Sequence, residues 1–431
     1  MPDFSTSLTF TTGETVTAAI MNSFVPSITA NASLIGGKPL VGTLGNNDSL
    51  FSLSAANNLQ QILFASLQSQ ILANSVGASQ SGVYNLLMNG DGLINQRPLS
   101  ASIASTSYTE LDRWKWFLVG TSAGRATVSQ DVPTTLATLP FVTGGPTSYS
   151  DIKITVPSAT STIAAGDAQG FSQFIENSLV EPIANGPISI SFIYKTNFSG
   201  VVSVYIRDFG AVHSYVVPVT LTGDSAWHLV TIQNITGLGA QTLQFGVYGG
   251  SSIDIGICLL SGSTFQTGTT GSWVAGNFLA ANTQGNFFAS AANVLQIAQF
   301  MAAPGATSVP YYSEPFHTLL PKCQRYYYKT YEYATKPAAN LGKGYWQGVM
   351  RTTTVADFPQ KFPVRLRSST ASIGGANPFA AGATVRDITA STNLTTGTAF
   401  QSDEGMYTIT GLTASVAGDI VAWAFSADAD Y

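Results

Sequence analysis

Apolar and polar residues alternate one by one through most of this chain. In ISISFIYK, Ile188, Ile190, Phe192 and Tyr194 fall on one side, and a similar two-residue period marks VVSVYIRD, WHLVTI, LQFGVY, IDIGICLL and VLQIAQF. Successive side chains of a strand point to opposite faces, so the pattern predicts half-buried β-strands. Clusters of Gly, Asn, Ser and Thr separate the runs. Many short strands with turn signals between them predict a β-sandwich, of which the jelly roll is one form. Helical periodicity is nearly absent between Ser100 and Pro321. After Lys329 a smaller β unit runs to VAWAFSADADY, where Val421, Trp423 and Phe425 alternate with small residues. No fixed-period repeat appears, which disfavours a solenoid.

The first 84 residues differ. FSTSLTFTTGETVTAAIMNSF predicts a short strand, a turn at Gly13 and a helix from about Thr17. A second helical pattern, AANNLQQILFASLQSQILAN, spaces Leu59, Leu63, Leu67 and Ile71 four apart on a face otherwise free of charge. Such a stripe must be covered. The same helix in other copies of the chain would cover it, and packing on its own chain is the alternative. The expected class is mainly β, with a short N-terminal helical stalk, a central jelly-roll sandwich and a small C-terminal β domain. The expected domains are 1–84, 85–321 and 322–431.

At the second boundary lies PFHTLLPKCQRYYYKTYEY. Taken as a strand, it would show Tyr326 and Tyr328 on one face and Tyr327, Tyr331 and Tyr333 on the other. Aromatics on both faces require cover on both, from the sandwich on one side and the terminal domain on the other.

Charge then narrows the function. Only 10% of residues are charged, with 18 basic and 23 acidic, while 45% are hydrophobic. Polar faces built from Ser, Thr, Asn and Gln suit a β-rich, often multimeric protein and argue against disorder. A net charge of −5 with no basic run argues against nucleic-acid binding. The N-terminus carries no signal-peptide pattern, and no run approaches the ~18 apolar residues of a membrane span. Cys258 and Cys323 read as free thiols rather than a disulfide framework, consistent with synthesis in a cytoplasm.

Four segments resemble bacteriophage and prophage virion proteins, chiefly tail fibres. They are LTFTTGETVTAAIMN near the start; NLLMNGDGLINQR (Asn85 to Arg97) followed by LDRWKWF (Leu111 to Phe117); ATSVPYYSEPFHTLLPKCQRYYYK; and the terminal AFSADADY. In the family the second and third segments mark the entry to and exit from a carbohydrate-binding-like jelly roll. AQFMAAPG departs from the family's usual QLE-x-G before the exit, so no ligand site is carried over. The resemblance implies a virion attachment protein without enzymatic activity or cofactor, located on the tail or particle surface. It implies a homotrimer docked on a tail or other virion protein through its N-terminal segment and facing a bacterial surface glycan. The alternatives are a capsid-bound fibre or decoration protein without receptor role, and a polysaccharide-depolymerising tailspike. A tailspike would be expected to show a long parallel β-helix with paired acids, and neither pattern is present.

Most candidate chemistry has a structural reading. Trp114 in DRW reads as core, flanked by an Asp112–Arg113 ion pair, and Asn95, Gln96 and Arg97 read as turn-satisfying groups. His213, His228 and His317 lack metal-ligand spacing. Glu176 and Glu181 form the close glutamate pair of the sandwich; separated by a turn containing Pro182, they read as surface solvation rather than as a hydrolytic pair. Asp403 and Glu404 are too few for a calcium cage. Sugar binding needs aromatic platforms beside amides and hydroxyls. Tyr345, Trp346 and Gln347 in LGKGYWQGV, with Tyr331 and Tyr333 upstream, have that makeup, with core packing the alternative for each.

Overall fold

The computed structural model describes residues 85–132, 149–243, 249–380, 384–395, 397–413 and 415–430, together with the backbone of 49–53 and 59–63. The chain divides into two units, Met1–Ala78 and Ser79–Tyr431. In the first, Ser49–Leu53 pairs antiparallel with Leu59–Leu63, placing Leu59 opposite Leu53 and Leu63 opposite Ser49. The helix expected over this segment is therefore a hairpin strand at Leu59–Leu63. Residues four apart share a face in a helix and also in a strand, so the Leu59/Leu63 spacing fits both. Leu67, Ile71 and residues 1–48 of the segment expected to dock on a particle, which runs to about Leu53, lie outside the described residues.

In the second unit two sheets face each other. One has seven strands in the order Trp273–Ala275, His213–Leu221, Gly200–Asp208, Ser251–Ser261, Ala168–Glu176, Lys115–Val119 and Ser107–Tyr108. The other has five: Trp227–Ile235, Ile188–Thr196, Val294–Pro304, Asp151–Ser158 and Arg125–Asp131. Their alternating apolar positions meet between the sheets, as the sequence pattern predicts. Phe171 and Ile257 come from one sheet, and Ile190, Phe192 and Phe300 from the other. Trp114 stacks on Phe300 with ring centroids 5.4 Å apart, and its indole N–H donates to the Asn89 carbonyl at 2.8 Å. The core reading of Trp114 holds. The expected ion pair beside it does not: Asp112 faces Arg97, while Arg113 reaches Asp430 near the C-terminus. Arg113 stands in the left-handed region at φ 75°, and its guanidinium shares the Asp430 carboxylate with Arg97.

The C-terminal sheet is organised around Ile420–Asp428. This long strand pairs with Trp346–Met350 and Thr384–Asp387 over one half and with Tyr327–Lys329 and Ser372–Ala376 over the other. Val421, Trp423, Phe425 and Ala427 point into one cluster with Phe358, Phe362 and Ile409. The sheet ties back to the sandwich at a buried ionic cluster. Arg97 pairs with Asp428 and, at 2.6 Å, with Asp430; Arg113 pairs with Asp430 as well. Burial opposes the charge of Arg97, but Asp430, Asp428 and Asp112 outweigh it and hold its proton more tightly than usual.

The aromatic stretch sits in this junction. Its first part is a helix, Phe316–Gln324, rather than strand, and the strand is short, Tyr327–Lys329. The Tyr326 hydroxyl donates to Glu176 of the sandwich at 2.6 Å, beneath the Arg113 guanidinium at 3.5 Å from its ring. Arg97 covers Tyr327 at 4.1 Å. Tyr328 instead packs on Trp346, Phe362 and Phe425 of the C-terminal cluster. The three tyrosines thus bridge sandwich and terminal sheet.

Candidate functional site

Beside the Phe316–Gln324 helix opens a cavity of about 610 Å³ whose walls include Leu93, Val132, Tyr149, Glu314, Phe316 and Tyr333. Three pieces of local structure place these residues. The entry segment turns at Asn89, whose side chain accepts from the Ile94 N–H and donates to the carbonyls of Ile94 and Asp112 at 2.8–3.0 Å. The helix buries Leu319 and Cys323 against Ile94, with Leu93 and Tyr333 packed on the same cluster. The edge strand Arg125–Asp131 pairs with Asp151–Ser158, with Asp131 opposite Asp151, which brings Val132 and Tyr149 to the same rim.

The cleft is aromatic and largely preorganised. Phe316, 40% exposed, meets Tyr333 edge to face with centroids 4.8 Å apart and ring planes at 87°. Tyr149 is 61% exposed. The Tyr333 hydroxyl accepts from the Asn95 N–H and faces the Leu93 carbonyl and Asn95 Oδ1, all at 3.2 Å. Burial pushes this phenol up to about 12, so it stays protonated. Gln130 spends its amide on Gly92, Leu93 and Asn95. Glu314 pairs with Lys322 through Oε1, and its Oε2 is buried without a hydrogen-bond partner. Perpendicular aromatic faces beside a carboxylate acceptor can stack on the C–H face of a sugar ring and accept from a hydroxyl.

The predicted sugar contacts do not converge. Tyr333 lines the cleft. Tyr331 is buried, its hydroxyl donating to the Ala338 carbonyl at 3.1 Å. Gly344, at φ +68°, lets the following turn lie against Tyr331, where a Cβ would come within 2.7 Å of its Cα. Tyr345 leans on Phe379, with centroids 5.2 Å apart. Trp346 starts a strand instead of lying in a loop. It pairs with Trp423 and packs edge to face on Phe425 at 4.9 Å, so its ring is half-buried against the C-terminal cluster. Gln347 is exposed on the opposite side of that strand. Phe316 and Tyr149 were not among the predicted contacts. For Phe316 a signal exists, since Phe316, Leu319 and Cys323 follow a helical spacing.

Other candidates serve structure. Burial pushes the Glu176 carboxyl up, but hydrogen bonds from Arg325 and Tyr326 and the charge of Arg325 carry it below the ordinary carboxylate range. Asp403 pairs with Arg365. Cys258 and Cys323 are free and buried. Among the described residues no group of three or more His, Cys, Asp and Glu is placed to hold a metal ion, and no helix is long and apolar enough to cross a membrane.

The chain matches no family model and no curated protein. Among solved structures it is similar to the enzymatically active domain of tailspike protein 4 of bacteriophage CBA120, at TM-score 0.25 and 14% identity over 51% of this chain and 21% of that one. It thus spans about a fifth of the tailspike chain. It is also similar to TmCBM61, solved with β-1,4-galactotriose, at TM-score 0.27 and 16% identity over 52% of this chain and 99% of that one. A third is the family 11 carbohydrate-binding module of the cellulase Lic26A-Cel5E of Clostridium thermocellum, at 0.26 and 12% over 53% and 96%. Overlaps at these scores assign neither family nor ligand.

Proposed function

We propose that this chain is a host-attachment protein of a bacteriophage virion, a homotrimeric tail fibre that binds a bacterial surface glycan. The observation that carries the glycan part is the cleft, with Phe316 and Tyr333 set at right angles, Tyr149 on the rim and an unpaired Glu314 oxygen beside them. The virion part is supported by the four sequence segments that resemble tail fibres. One such cleft would bind weakly, but three on a trimer raise avidity by roughly 10²–10⁴.

The test is binding of the purified full chain to immobilised capsular and lipopolysaccharide glycans of candidate hosts, compared with Phe316→Ala and Tyr149→Ala. Both rings are exposed, so the variants should keep the wild-type melting temperature and bind at least about tenfold more weakly, the loss of one or two stacking contacts. Folded variants that bind like wild type would refute the cleft. Release of new reducing ends from the same glycans would instead favour a depolymerase.

A further inference from the structure

We propose that the outer face of the seven-stranded sheet, at Phe174, Asp254 and Arg207, holds a second sugar site that takes a neutral pyranose through two adjacent hydroxyls. The proposal rests on the glycan-binding reading of the chain but not on the cleft.

Strand register builds this site. Phe174, Asp254 and Arg207 stand side by side across Ala168–Glu176, Ser251–Ser261 and Gly200–Asp208. Two residues along, the same row reads Ser172, Gly256 and Tyr205. A Cβ on Gly256 would come within 2.7 Å of the Tyr205 hydroxyl oxygen, so only glycine lets that ring lie across the central strand. Tyr205 then donates to Asp254 Oδ2 at 3.3 Å. Arg207 Nη2 pairs with the same oxygen, and Nη1 donates to Asn277 at 2.8 Å.

This arrangement loads one carboxylate oxygen twice and leaves its twin empty. Asp254 Oδ1 and Arg207 Nε are both buried without a hydrogen-bond partner, although Asp254 is only 2% exposed. Buried charged groups left unsatisfied are costly and call for a partner. Both residues line a groove of about 270 Å³, walled by Phe174 and by Phe209, which is 42% exposed. A carboxylate acceptor next to an N–H donor matches a vicinal diol, in which one hydroxyl donates to Asp254 and the other accepts from Arg207. Phe174 is half-buried with the Lys115 ammonium 5.0 Å from its ring, and it offers an apolar face for the sugar C–H groups. The charge of Arg207 is met by Asp254, and that of Lys115 by Asp254, Asp430 and Asp428, which favours a neutral sugar over an acidic one.

Isothermal titration calorimetry of the full chain with galacto-, gluco- and xylo-configured neutral tetrasaccharides tests this. At least one sugar should occupy two sites per chain. Phe316→Ala should remove one site, and the Arg207→Gln/Asp254→Asn double variant should weaken the other about tenfold or more. Should the double variant misfold, Phe174→Ala leaves the ion pair intact and should produce the same loss. The proposal is overturned if folded Phe174→Ala keeps both sites, if wild type shows a single site that Phe316→Ala removes, or if no neutral tetrasaccharide binds. A single site removed by Phe174→Ala and untouched by Phe316→Ala would support the groove while refuting the cleft.

Discussion

Replacing Asp430 by Ala should uncouple the terminal sheet from the sandwich. Its carboxylate side chain is fully buried and serves two guanidiniums, Arg97 at 2.6 Å and Arg113, whose side chains are 6% and 1% exposed. Breaking a buried pair from one side leaves an uncompensated charge and typically costs about 3–5 kcal/mol. Arg97 retains Asp428 and Asp112, and Arg113 retains the Phe174 carbonyl and the Tyr326 ring, so the lower end of that range applies. A terminal domain of about 100 residues melting on its own would lose at least ~4 °C per kcal/mol, so roughly 12 °C or more; melting together with the sandwich would reduce the shift per kcal/mol to less than half. Calorimetry and urea titration of the full chain separate these cases. The double variant Arg113→Met/Asp430→Leu removes both charges and should recover much of the loss, because apolar replacement of a buried pair is often neutral or better. A loss below about 1 kcal/mol for Asp430→Ala, or a double variant as unstable as the two singles added, would refute this account of the junction.

Asp151 gives a pH signature. Burial, then the neighbouring charge of Asp131, pushes its carboxyl up to about 7. The folded state thus keeps a proton that the unfolded chain releases near pH ~4, and stability falls as pH rises from there through about 7, by a few kcal/mol. Asp112, raised by burial to about 6, adds the same sign lower in the range. The melting temperature should therefore drop between about pH 5 and pH 8, and Asp151→Asn should flatten the part above about pH 6; an unchanged slope in that variant contradicts the assignment. Trp346→Ala should cost about 3 kcal/mol, as large core truncations do, while binding per folded molecule stays at the wild-type level; the reverse pattern, measured by denaturation and glycan binding, would return Trp346 to the ligand site. Burial pushes the Cys258 thiol up to about 12, and Cys323 also lies well above its ordinary range. Both should resist a thiol-reactive dye in the native chain at neutral pH and react in denaturant, and prompt native labelling would show that the packing around them is wrong.

Much of the sandwich was legible because its strands obey one period and bury one face. Ile188, Ile190, Phe192 and Tyr194 announce their side of the sheet without reference to any partner, and all four are buried. Val421, Trp423 and Phe425 do the same for the terminal sheet. Where two periods coincide, the pattern is silent. Leu59 and Leu63 fit a helix and a strand equally, and the hairpin with Ser49–Leu53 decides. Trp346 misleads for a related reason: Gly and Gln around it have a loop's composition, and the strand it enters is dictated by Trp423, far along the chain.

The functional surfaces were harder to read because each is made by residues that no local pattern connects. Asp112 and Arg113 look like partners only because they are adjacent, whereas the partners Arg113 and Asp430 come from opposite ends of the second unit. Tyr149 reaches the cleft through the pairing of Asp131 with Asp151, and Tyr333 through the packing of the helix on Ile94. The groove on the sheet is the extreme case. Phe174, Asp254 and Arg207 are unremarkable in their own strands, where each occupies an outward position that the alternation assigns to solvent. Only the register of three strands places an aromatic face, an empty carboxylate oxygen and an idle N–H side by side. A polar residue on the outward face of a strand is therefore weak evidence of solvation when the strand lies in the middle of a sheet. Its two neighbours decide whether it faces water or is held, half-satisfied, for a ligand.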